Sequence, residues 1–272
     1  MRLNVLSLRF ALLSMVSVAF VACAEDEEEV VDGSGDGGGD GSGDGGGDGS
    51  GEAPTTFKLR VTHMSADTPA VAIYNGDSTT AVVPSLAFGS GTQYLELPAG
   101  DEYTFNVRTA DAEPTSDPAL QVVATPEAGD VLNVAAIGFL SGDPEPLETL
   151  VIIEDLTAPA EGNIRLQVVH AAPQVGQVDV YNIVDGDDVQ IVPDLDYGSA
   201  TGDYLEVPAG AYNLGVDTNN DPLTLEVTFT TPNLAAGTIA TIYATNNADG
   251  DVVLVGQFAD GTTATIAADG AN

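Results

Sequence analysis

The sequence predicts an all-β protein in which two tandem β-sandwich (Ig-like) domains follow a disordered tether rich in glycine and aspartate. Three observations predict this. From Phe57 onward, short runs rich in Val, Ile, Thr, Tyr and Leu alternate with Gly, Pro, Asp and Asn at the spacing of an all-β domain, and no amphipathic helix is evident. Two blocks of sequence then repeat at nearly constant separation. Ahead of them, a low-complexity acidic tract contains no apolar residue from Asp32 to Gly51.

The first 22 residues read as an export signal. Arg2 and Arg9 give a positive start, Phe10 to Val21 form a mostly apolar run, and small residues follow at Ala22, Cys23 and Ala24. A run of this length is shorter than the about 20 apolar residues that a bilayer span requires. The segment Phe20-Val21-Ala22-Cys23 resembles the lipobox of bacterial lipoproteins, which implies lipidation of Cys23 as the first residue of the mature chain. Ala22-Cys23-Ala24 also fits an ordinary signal cut after Ala24, so a freely secreted form is the alternative. Alanine rather than aspartate after the cysteine implies, by analogy with other lipoproteins, an outer-membrane destination on the periplasmic or the external side.

Residues 23–56 form the tether. From Asp32 the chain reads DGSGDGGG twice and then DGSG, with aspartate at every fourth position. A segment without apolar residues cannot offset the entropy of ordering and is expected to stay disordered. Its 33 residues from Ala24 to Thr56 would span about 30 Å as a glycine-rich coil, and more under aspartate repulsion. Neither the EF-hand spacing nor the apolar residue of a β-roll repeat is present. Diffuse cation attraction is therefore expected of the tract, rather than a specific calcium site.

The first repeat runs from 57 to 155. Phe57 to Thr62 alternates apolar and polar, as a strand with one buried face does. Val131 to Phe139 and Leu150 to Ile153 read as strands covered on both sides. A hinge at 156–162 leads to a second repeat at 163–260, and 261–272 is expected as a C-terminal tail. The duplication fixes these bounds: Leu59-Arg60-Val61-Thr62-His63 matches Leu166-Gln167-Val168-Val169-His170, and Val71-Ala72-Ile73-Tyr74-Asn75 matches Val178-Asp179-Val180-Tyr181-Asn182, both at an offset of 107. Further along, Tyr94 to Gly100 matches Tyr204 to Gly210 at an offset of 110, which indicates small loop insertions.

A strand ending in His, a Pro-bearing loop, an apolar strand ending in Tyr, and later a Tyr-x-x-(Leu/Val)-Pro-Ala-Gly turn resemble the bacterial "domain of unknown function 4397" in two tandem copies. The resemblance implies an exported or cell-surface protein with a β-sandwich-like core, and it implies no chemistry. The first copy departs from the second in having Ala72 where the second has Asp179.

Composition narrows the partners. Six Lys and Arg face 42 Asp and Glu, for a formal charge of −36. Two of the cations lie in the signal. Nucleic-acid binding needs clustered cations and is excluded. Anionic lipid is repelled too, so membrane attachment has to come through lipid on Cys23. A single cysteine permits no internal disulfide.

Few residues suggest a site. His63 and His170, the two histidines of the chain, stand at equivalent strand ends. A ring bonded to a loop carbonyl is the structural reading, and contact with a metal or ligand alongside Asp67 or Asp179 is the other. Zinc would need three or four close ligands, and the Cys and His partners for it are missing. Catalysis would need one of these histidines in a pocket beside a nucleophile. The expectation is therefore a non-enzymatic cell-envelope protein without cofactor, serving display, adhesion or interaction with an envelope or surface protein or glycan. The alternative is a carbohydrate- or calcium-dependent ligand-binding module.

Overall fold

The computed structural model describes residues 55–218 and 225–270. The signal, Cys23 and the acidic tract as far as residue 54 lie outside the described residues. No helix occurs among those described, which form nineteen strands. Repeat 1 contains β1 (Thr56–His63), β2 (Val71–Asn75), β3 (Val83–Leu86), β4 (Ser90–Gly91), β5 (Leu95–Pro98), β6 (Tyr103–Thr109), β7 (Leu120–Ala124), β8 (Val131–Ile137) and β9 (Glu148–Ile153). Repeat 2 contains β10 (Asn163–Ala171), β11 (Val178–Val184), β12 (Asp187–Leu195), β13 (Ser199–Ala200), β14 (Leu205–Pro208), β15 (Asn213–Asp217), β16 (Val227–Thr230), β17 (Ile239–Asn246), β18 (Val252–Phe258) and β19 (Thr263–Ala267).

Each repeat is a two-sheet sandwich. In repeat 1 an inner sheet ordered β4-β1-β8-β9, with β5 also beside β1, covers an outer sheet ordered β3-β2-β6-β7. Repeat 2 follows the same plan with an inner sheet β13-β10-β17-β18-β19, with β14 also beside β10, and an outer sheet β12-β11-β15-β16. Both inner sheets join their first strand to a late one in parallel, β1 to β8 and β10 to β17. All other strand pairs are antiparallel.

The period-2 pattern of the strands explains the cores. Phe57, Leu59 and Val61 on one face of β1 pack against Val71, Ile73, Phe105 and Val107 of the outer sheet. Tyr103 meets Phe57 edge-on at 5.4 Å and stacks on Phe105 at 5.6 Å. Val180, Val216, Phe229 and Leu254 fill the matching core of repeat 2. Each such side chain fully removed from water contributes about 1.5–3 kcal/mol.

The opposite faces of the two inner sheets are also covered, by each other. Met64, Ala135, Ile137 and Ile152 of repeat 1 form one cluster with Val169, Ala171, Tyr243, Val253 and Val255 of repeat 2. The stack is therefore outer, inner, inner, outer. This overturns the expectation of a single buried face on β1, because Arg60 and Thr62, on its polar side, are buried. β8 is sandwiched as expected, but β9 is not covered throughout: Ile152 is buried whereas Ile153 is 59% exposed.

One further expectation is corrected. Segment 261–272, anticipated as a tail, contains β19, which pairs with β18 from Gln257↔Thr263 to Val253↔Ala267. Its Thr-Ala-Thr-Ile-Ala sequence supplies the β-branched residues that a strand favours. The segment 156–162, expected as a hinge, contains no strand.

Candidate functional site

The inter-repeat interface is polar at one end, around a buried ion pair between Arg60 of β1 and Glu154, just past β9. Thr241 of β17 donates its hydroxyl to Glu154 Oε1 at 2.7 Å, and Asn133 Nδ2 donates to the same oxygen at 3.1 Å. Tyr94 donates its hydroxyl to Glu154 Oε2 at 2.6 Å. Burial, and then the Glu154 charge, push the Tyr94 hydroxyl well above its ordinary pKa. Asn133 and Thr62 reach Gln257 Oε1 of the other repeat at 2.8 and 2.7 Å. Gly91 is required for this closeness, since a Cβ there would lie 2.1 Å from Gln257 Nε2. A buried pair surrounded by hydrogen bonds satisfies charges that would otherwise be very costly inside a protein. Its role is to fix how the copies meet.

At the other end, loops from both repeats enclose a cleft of about 270 Å³. Asp67, Phe139, Ser141 and Asp143 line it from repeat 1, and Gln174 and Asn247 from repeat 2. Asp67 accepts the backbone N–H of Leu140 at 2.7 Å and of Ser141 at 2.9 Å, fixing the loop after β8. Partial desolvation pushes its carboxyl up, but the Ser141 and Leu140 N–H groups outweigh that and hold it below the usual range. On the facing wall, Asn247 Oδ1 accepts the backbone N–H of Asp249 and of Asp251, both at 2.9 Å. Asn246 joins the two loops of repeat 2, accepting Gln174 N–H at 3.2 Å and donating to Gly250 O at 2.9 Å. The Thr245 hydroxyl donates to Met64 O at 3.0 Å and ties the walls together beneath the cleft. Carboxylates and carboxamides together offer both acceptors and donors to a polar ligand.

The histidines do not reach this cleft. His63 and His170 are 0% and 1% exposed. His63 Nδ1 accepts Ser65 N–H at 3.3 Å, so Nε2 carries the proton and donates to Pro69 O at 3.3 Å. His170 repeats the arrangement, with Nδ1 3.4 Å from Ala172 N and Nε2 2.7 Å from Gly176 O. Phe88 and Tyr197 meet the two rings edge-on at 6.5 and 6.0 Å. Burial lowers both imidazole pKa values. Each ring brackets a loop with both nitrogens engaged, and neither is open to a substrate as a general base.

Asp179 and Asp67 are not brought together. Asp179, in β11, accepts Asp194 N–H at 2.6 Å. Asp194 adopts a φ of 49°, at a place where the β11–β12 register shifts. The carboxylate thus pins an irregular strand pair, where repeat 1 has Ala72. Among the described residues no group of three or more His, Cys, Asp or Glu is placed to hold a metal ion. Nor is any helix there long and apolar enough to cross a membrane.

Sequence reasoning found Asp67 but missed Arg60, Glu154, Thr241, Gln257 and the cleft residues of repeat 2. The available signal was Arg60, a cation in a nearly cation-free chain, opposite Gln167 in the duplicate.

Fold and interface define a tandem β-sandwich protein whose two copies share one core. The family described as "Domain of unknown function (DUF4397)" matches residues 57–181 and 177–271, and the chain belongs to it. No curated protein matches the sequence. Among solved structures, the Bacillus anthracis TIE protein is 14% identical with a TM-score of 0.21, over 71% of this chain and 34% of that one. The present chain thus spans about a third of that protein's length. A streptococcal virulence factor whose structure concerns alpha-glucan binding is 12% identical with a TM-score of 0.23, over 72% of this chain and 95% of the other. A proposed cell adhesion protein from Bacteroides ovatus is 9% identical with a TM-score of 0.21, over 80% and 98%. Likeness at this level defines neither a common fold nor a common ligand.

Proposed function

We propose that this chain is an exported cell-envelope protein, anchored in the outer membrane by lipid on Cys23, whose two-repeat body acts without catalysis in display, adhesion or partner binding. The observation that carries the reading is the cleft built by loops of both copies, held open to solvent over a fused interface while both histidines are committed to backbone atoms. The composition of the acidic tract, with no apolar residue from Asp32 to Gly51, supports its use as a spacer in this reading. Protease shaving of intact cells, read with the intact mass of the natural polypeptide, tests it. Expected are a diacyl- or triacyl-cysteine at position 23 and loss of the folded part on shaving if it faces outward, or protection until the outer membrane is opened if it faces the periplasm. Recovery from the soluble fraction with an intact leader overturns the reading.

A second reading is a glycan-binding module, supported by Asp67, Asp143, Gln174 and Asn247, whose carboxylates and carboxamides offer acceptors and donors to a polyhydroxyl ligand. Screening the chain against envelope glycans with and without calcium tests it. Binding that Gln174→Ala weakens about tenfold, the size of one lost hydrogen-bonding group, supports it; binding unchanged by that substitution rejects the cleft as its seat.

A further inference from the structure

The two inner sheets differ at one edge. β18 has β17 on one side and β19 on the other, whereas β9, which occupies the place of β18 in repeat 1, pairs among the described residues with β8 alone. The match is residue by residue. Ile153 stands opposite Leu132 as Phe258 stands opposite Ala240, so Thr149, Val151 and Ile153 correspond to Leu254, Gly256 and Phe258. In repeat 2 those three are the positions whose backbone groups face β19, with Phe258 N–H donating to Thr262 O at 2.9 Å and Gly256 opposite Ala264. In repeat 1, Glu154 N–H donates to Val131 O at 2.8 Å. The alternation of an antiparallel ladder therefore turns the N–H and C=O of Thr149, Val151 and Ile153 outward.

Sheet proteins usually guard such an edge with proline, charge or a bulge. β3 has Pro84 and a register shift. β12 has Pro193, several aspartates and two shifts. The span Thr149–Ile153 reads Thr-Leu-Val-Ile-Ile, with continuous register and none of these devices. Ile153, 59% exposed, is the most exposed of the large apolar residues described.

We propose that the outer edge of β9 is a docking site for an extended, cationic segment of a partner protein, which adds antiparallel to β9 as β19 adds to β18. The internal copy supplies register and hydrogen-bond pattern. Backbone pairing provides affinity, and alternate side chains provide selectivity. Charge selects the occupant. A chain with 42 acids and six cations repels a second copy of itself while attracting Lys and Arg. The site lies apart from the cleft, and failure at one leaves the other standing.

The test uses the whole chain and a synthetic Lys-Thr-Ile-Thr-Val-Thr-Lys peptide at up to millimolar concentration, with amide hydrogen exchange as readout. Exchange at Thr149, Val151 and Ile153 should slow by about tenfold or more, and added salt should weaken the effect. A peptide N-methylated at alternate residues should give no protection. Val151→Pro, which removes an outward N–H at an edge position where proline is tolerated, should abolish it, and Asp67→Ala should leave it intact. No protection at saturating peptide overturns the proposal and means that β7, which lies against β9, closes the edge. Protection that grows with protein concentration alone overturns it in favour of a second copy, and equal binding of the N-methylated peptide overturns strand addition in favour of charge alone.

Discussion

At the scale of single residues, the two histidines set a pH dependence whose sign follows from burial. Both rings are held neutral, with folded-state pKa values below the ordinary one. In the unfolded chain they titrate near about 6.5. The unfolded state therefore binds more protons as pH falls through that value. Stability from the neutral rings is complete above it and drains away between it and the lower folded pKa, by up to about 1.4 kcal/mol per pH unit for each ring. Urea midpoints should fall between pH 7 and pH 5, well above the range in which Asp67 loses its own contribution, since that carboxyl is shifted down. The double variant His63→Gln, His170→Gln should start less stable and show a flatter profile over the same range. An equally steep profile in the variant would assign the acid sensitivity to other groups.

At the scale of elements, what the sequence disclosed and what it hid have separate physical causes. The alternation in β1 and the repeated Tyr-Leu-Glu-(Leu/Val)-Pro-Ala-Gly segments locate strands because side-chain period and turn chemistry are local properties. In both copies a tyrosine hydroxyl caps that turn: Tyr103 donates to Pro98 O at 2.9 Å, and Tyr212 donates to Pro208 O. The duplication likewise placed both histidines correctly at equivalent strand ends. The fate of the polar face of β1 was hidden, because Arg60 and Thr62 look the same in sequence whether they meet water or another sheet. Only their partners distinguish the two, and Thr241 and Gln257 lie 181 and 195 residues away. β19 was hidden for a related reason. Repeat 1 has no strand at the matching place, so extrapolating its pattern ended the second copy too early. The cleft was half legible: Asp67 stood out beside His63, but Gln174 and Asn247 sit in loops whose sequences carry no sign of what they face.

At the scale of the molecule, the four-layer stack makes a claim about cooperativity. Each inner sheet is covered on both faces, so repeat 1 alone would expose Ala135, Ile137, Ile152 and the Arg60–Glu154 pair, and repeat 2 alone Val169, Tyr243, Val255, Thr241 and Gln257. The hinge is held by exposed contacts: Thr157 O accepts from Arg165 at 2.6 Å, Ala160 N–H donates to Glu206 at 3.0 Å, and the neighbours Arg165 and Asp155 form a surface ion pair at 2.6 Å, worth at most about 1 kcal/mol. If the interface holds the body together, a protease site placed within 156–162 should yield two fragments that migrate as one species in size exclusion and unfold in a single transition. Glu154→Ala should then separate them, because it leaves Arg60 buried without its partner, a loss of about 3 kcal/mol or more, and also strips Tyr94 and Thr241 of their acceptor. Replacing both members of the pair, Arg60→Met with Glu154→Leu, should restore much of the association, since no unpaired charge remains. Cut halves that part as folded monomers, or a double replacement no better than Glu154→Ala, would mean that the repeats are independent modules merely lying side by side.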